Sequence, residues 1–119
     1  MQKDDLVRLR HMHDAACEAR EFIKGRTRES LDTDRMLALS LVKEIEIIGE
    51  AANQVSEPTR RQTSAIPWED IIGMRNRLVH AYFDINLEIL WRTVQDDIPP
   101  LIAAIEDVLE RYIERESSC

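Results

Sequence analysis

Leu37-Ala38-Leu39-Ser40-Leu41-Val42-Lys43-Glu44-Ile45-Glu46-Ile47-Ile48-Gly49-Glu50-Ala51-Ala52-Asn53-Gln54-Val55 carries the strongest period in the chain. Leu37, Leu41, Ile45, Ile48, Ala52 and Val55 recur three or four residues apart, which builds one apolar stripe along a helix. Lys43, Glu44, Glu46 and Glu50 are expected to look outward. Ser30 or Asp32 is the expected cap of this helix, with Asp34 in its first turn near the positive dipole end. Upstream, Leu6, Leu9, Met12, Ala16, Ala19 and Ile23 mark an earlier helix over residues 4–24, closed by Gly25-Arg26-Thr27-Arg28-Glu29-Ser30. Downstream, residues 56–67 are polar and bounded by Pro58 and Pro67, which predicts a loop with one helical turn near residues 59–62. Pro67 then starts a helix predicted to run through Leu78 and Val79. Asp84 or Asn86 should cap a fourth, whose stripe of Leu87, Trp91, Val94 and Ile98 continues in phase through Leu101, Ile105, Val108 and Tyr112. Pro99-Pro100 predicts a kink or break between two nearly collinear helices. The fold class is therefore all-α, an antiparallel bundle of four to five helices in a single domain over residues 1–119.

Composition narrows the function. At 44% apolar, the 119 residues suffice for one core, and only six aromatics make that core aliphatic. Three scattered glycines leave no phosphate-cradling or dinucleotide-binding loop. No apolar run approaches the roughly 18 residues of a membrane span, and Met1-Gln2-Lys3-Asp4-Asp5 opens no signal region. A soluble, cytoplasmic protein is expected. The net charge of −7 is lopsided: residues 1–83 hold 13 basic and 14 acidic side chains, residues 84–119 hold 3 and 9. Such a chain is unsuited to a non-specific grip on long duplex DNA, while contact with a few phosphates remains open.

Cys17 and Cys119 are too few and too far apart for a thiol metal site. His11 and His13 point about 200° apart on a helix, so they cannot share a metal. His13 and Cys17 share a face but make only two ligands. No metal and no cofactor are expected. His80 differs, because Ile72-Gly73-Met74-Arg75-Asn76-Arg77-Leu78-Val79-His80-Ala81-Tyr82 gathers phosphate-handling side chains at one helix end. Asn76 and His80 share a face. Arg75 would lie roughly 140° from His80 on an ideal helix, so reaching one atom requires a distorted helix end, a bent Arg75 in a cleft, or a second copy. Without chemistry, His80 would simply close a helix C-terminus and Arg75 would be solvated.

Arg75-x4-His80-x-Tyr82 in this setting resembles the signature of HEPN-domain proteins, specifically the HepT-like toxins. Ile47-Ile48-Gly49-Glu50-Ala51-Ala52, Trp91 and Pro99-Pro100-Leu101 extend the resemblance over nearly the whole chain. It implies a HEPN-like homodimer with the motifs facing each other across a cleft. It implies a metal-independent endoribonuclease toxin acting on cellular RNA, with tRNA among the candidate substrates. The partner would be a small MntA-like nucleotidyltransferase antitoxin. Residue by residue, Arg75 and His80 would be catalytic, Asn76 would support them, and Tyr82 would be the tyrosine that receives AMP. Glu50 is either solvated or a partner of the site, and the acidic C-terminal third stays unexplained.

The chemistry is consistent. Metal-free RNA cleavage needs a base for the 2′-hydroxyl, an acid for the departing 5′-oxygen and positive charge on the phosphorane. His80 supplies one proton carrier and Arg75 a planar donor fork, and a twofold axis would supply a second His80. The alternatives are a non-catalytic helical module that binds a nucleotidyltransferase, or a purely structural bundle.

Overall fold

Helix α1 (Lys3–Phe22) lies along α3 (Arg35–Asn53), and their apolar stripes are the ones buried. The computed structural model describes residues 1–79 and 84–113, of Ile113 the backbone only. Leu9, Met12, Ala16 and Ala19 of α1 meet Leu41, Ile45, Ile48 and Ala52 of α3 in one aliphatic cluster. Each large member contributes roughly 1.5–3 kcal/mol relative to exposure. The two helices run antiparallel, because Asp5 at the start of α1 reaches Ser56 just past the end of α3. Its carboxylate accepts from Ser56 N at 3.0 Å, Ser56 Oγ at 2.6 Å and Thr59 Oγ1 at 2.5 Å. Burial opposes the Asp5 charge, but these bonds outweigh it and hold the carboxyl below its ordinary range.

The second helix starts later than expected. Residues 30–33 form a separate turn, α2 (Ser30–Thr33), and the cap of α3 is Asp34, whose Oδ1 accepts from Leu37 N at 3.0 Å. Neither Ser30 nor Asp32 takes that role; Ser30 Oγ instead accepts from Thr27 N. The correction follows from Asp34 sitting at φ −121°, ψ 89°, the non-helical geometry a cap requires. Gly25, at φ 74°, turns the chain after α1.

The polar connection contains α4 (Glu57–Gln62), which realises the expected turn. Arg60 locks it, donating to the carbonyls of Ala52, Asn53 and Val55 at the end of α3 and lying 5.9 Å over the Trp68 ring. Trp68 Nε1 donates to Thr63 O at 3.2 Å.

Asn86, one of the two expected caps, begins α7 (Leu87–Arg92) by accepting from Ile89 N at 3.0 Å. The expected break at Pro99-Pro100 does not occur. A π turn, Thr93–Asp97, leads directly into α8 (Ile98–Ile113), and Ile98 keeps helical angles of φ −67°, ψ −46°. In an α-helix those proline rings would strike the carbonyls four residues back, at Gln95 and Asp96. Both carbonyls belong to the wider π turn, which makes room for the rings. Ile98, Leu101, Ile105 and Val108 therefore stay in phase and buried against the core.

Glu44 corrects a third expectation, since it is buried in α3 rather than outward. Burial, then hydrogen bonding and repulsion from Glu18 of α1, push its pKa up to about 8. The folded state thus binds a proton at Glu44 that the unfolded chain, near 4.5, releases, so stability should fall as pH rises from about 4.5 to about 8. Glu44→Gln should flatten that slope; thermal midpoints that fall equally in wild type and variant would contradict the assignment.

Candidate active site

The predicted motif helix is two short helices. α5 (Trp68–Ile72) ends at Gly73, and α6 (Met74–Leu78) starts after it; Val79 is already extended at φ −120°, ψ 110°. The ideal-helix angle between Arg75 and His80 therefore does not apply. Two contacts hold the junction. Arg77, itself exposed, donates to Asp70 O at 3.0 Å, and Gly49 of α3 lies against the α5 carbonyls. A Cβ at Gly49 would stand 3.5 Å from Ile71 O and 3.8 Å from Ile72 O. Asn86 N donates to Leu78 O at 2.7 Å and Val79 bridges to Ile85, so the chain is fixed on both sides of residues 80–83.

Arg75 and Asn76 come together on the wall of a cleft of about 400 Å³, opposite Glu46, Gly49, Glu50 and Asn53 of α3. Arg75 is 45% exposed, and its Nε donates to Glu46 Oε2 at 2.6 Å. It is neither a bare solvated cation nor buried in structure. Glu46 also faces Lys43 Nζ at 3.7 Å. Glu50 is exposed on the cleft rim and makes no ion pair among the described residues. His80 and Tyr82 lie outside the described residues.

The other histidine readings resolve differently. His13 is buried, with Nε2 2.8 Å from Glu106 Oε2, linking α1 to α8, and His11 is exposed. Among the described residues no three His, Cys, Asp or Glu side chains converge as metal ligands. Also among them, no helix is long and apolar enough to cross a membrane.

Sequence reasoning missed Glu46 as the partner of Arg75, classing it only as outward. The available signal was the second face of α3, where Glu46, Gly49, Glu50 and Asn53 recur at helical spacing opposite the core stripe.

An all-α domain that sets the arginine of an Arg-x4-His motif on the wall of a polar cleft defines a HEPN-type domain. Comparison with known proteins agrees: a family profile described as ribonuclease HepT-like matches residues 12–108. A protein of Caldanaerobacter subterraneus subsp. tengcongensis, named as a candidate RNase, is 36% identical over 91 residues, covering 76% of this chain and 81% of its own. A Thermococcus cleftensis protein, named as a candidate ribonuclease HepT, is 37% identical over 93 residues, covering 75% and 84%. No solved structure matches the chain. The chain belongs to the HepT-like ribonuclease family of the HEPN superfamily.

Proposed function

We propose that the protein is the toxin of a toxin–antitoxin pair, a cytoplasmic, metal-independent endoribonuclease that cuts cellular RNA. The observation that carries this reading is the Arg75 guanidinium, ordered by one carboxylate on the wall of an open cleft with its Nη edge unengaged by any described residue. In the proposed reaction His80 takes the proton of a 2′-hydroxyl, whose oxygen attacks the adjacent phosphorus. Arg75 bonds the phosphorane oxygens, and the 5′-oxygen leaves with a proton given by the His80 of a second copy of the chain. The products are a 2′,3′-cyclic phosphate and a 5′-hydroxyl. Asn76, beside Arg75 on the same wall, supports substrate binding.

One protomer's cleft sets one arginine, already bonded to Glu46, beside a further carboxylate, Glu50, a poor balance for an RNA phosphate. A homodimer that brings a second Arg75 and a second His80 across the cleft corrects both the charge and the shortage of proton carriers. A neighbouring nucleotidyltransferase acts as antitoxin by transferring AMP to Tyr82.

The test is cleavage of total RNA in excess chelator with end-group analysis. Cyclic phosphate ends and activity per chain that falls on dilution to monomer are expected. Cleavage abolished by chelator, or ends bearing 5′-phosphate, would reject the mechanism.

A further inference from the structure

We propose that Glu46 is the positioning residue of the site, fixing Arg75 so that the far edge of its guanidinium meets phosphate; this rests on the reading that Arg75 grips RNA. A guanidinium offers five N–H donors along two usable edges. Glu46 Oε2 occupies Nε at 2.6 Å, at the short end for a charge-assisted bond. The four Nη hydrogens have no protein partner among the described residues, which leaves the Nη1–Nη2 edge for a bidentate grip on phosphate.

The two partners are unequal. Glu46 belongs to the nineteen-residue α3 and is 27% exposed, whereas Arg75 belongs to the five-residue α6 and is 45% exposed. The long, core-packed helix is therefore the fixed member and the arginine the one being held. Lys43, 3.7 Å from the other Glu46 oxygen, balances part of the carboxylate charge, so the group can orient Arg75 without cancelling it. A merely structural ion pair this exposed would add little to stability, so its removal should leave the fold intact while loosening the arginine.

Steady-state cleavage of a short oligoribonucleotide by wild type, Glu46→Ala, Glu46→Gln, Arg75→Lys and the double variant Glu46→Ala/Arg75→Lys tests this, with thermal midpoints recorded in parallel. Glu46→Ala should lower kcat by about 10-fold or more, within the roughly 10²-fold that a misplaced group can cost, with KM changed much less. Glu46→Gln keeps an oxygen to accept from Nε and should retain most of the rate. Lysine has no Nε–H at that position, so Glu46→Ala should cost nothing further in the Arg75→Lys background. Glu46→Ala matching or exceeding wild type while Arg75→Lys is impaired would overturn the proposal, as would a Glu46→Ala loss that persists undiminished beside Arg75→Lys. Full activity of Arg75→Lys and of Arg75→Ala would instead remove the underlying role of Arg75 in phosphate binding.

Discussion

Replacing His80 by alanine is expected to lower RNA cleavage by about 10²–10⁴-fold, the range typical of losing a general acid or base. Arg75→Ala should cost about 10²–10³-fold, as removal of a donor to developing negative charge does elsewhere. The two losses have different signatures. His80→Ala should erase a limb of the pH–rate profile, whereas Arg75→Ala should lower the whole profile without moving it. The loss in Arg75→Ala should also come with weaker salt dependence of substrate binding, because one phosphate contact has gone. Cleavage that survives in His80→Ala and becomes dependent on added divalent metal would place the chemistry elsewhere.

Coexpression with a neighbouring nucleotidyltransferase should convert the protein into an inactive form bearing AMP on Tyr82. In that transfer the tyrosine oxygen attacks the α-phosphorus of ATP and pyrophosphate departs, so each AMP brings a fixed negative charge two residues from His80. Arg75 has its Nη edge open toward the cleft, and an anion tethered nearby would compete for that edge and repel incoming RNA. Intact-protein mass spectrometry and an RNA cleavage assay on the same sample should therefore show modification and near-complete loss of activity together. Tyr82→Phe should remain active in the presence of the partner. Neutralisation of Tyr82→Phe as efficient as that of wild type would mean the partner acts by occlusion.

The elements were legible in the sequence wherever burial alone decides them. The Leu37-to-Val55 stripe, the α1 stripe and the phase carried past Pro99-Pro100 all follow from apolar spacing, and they pack as that spacing implies except at Tyr112, which closes the last stripe yet is 42% exposed. Boundaries decided by single hydrogen bonds were not legible. Asp34, Ser30 and Asp32 are all competent caps, and only the backbone angles at Asp34 choose among them. Glu44 reads as a surface glutamate because periodicity cannot register that it is buried against Glu18 across the α1–α3 interface. The same limit hid the pairing at the cleft. Arg75 and Asn76 were named from the motif, but the partner of Arg75 lies 29 positions away on another helix, a distance no local pattern spans. The split at Gly73 was not foreseen; of the three ways to reconcile Arg75 with His80, a helix distorted near its end matches Val79, which is already extended.

The π turn at Thr93–Asp97 makes this stretch tolerant in composition and intolerant in length. Its five residues fit two prolines into a continuous helix by carrying one more residue per turn than an α-helix would. Deleting any one of them would restore α geometry there and drive the Pro99 and Pro100 rings against backbone carbonyls, with little rotation of what lies beyond, because five residues of a π turn sweep about the same angle as four of an α-helix. Leu101, Ile105 and Val108 would still face the core and Glu106 would still face His13, so the cost would fall on the proline contacts. The segment thus acts as a clearance: its extra residue opens room for two proline rings inside a rod whose one end, α7, meets α6 beside the cleft while the other, α8, meets α1.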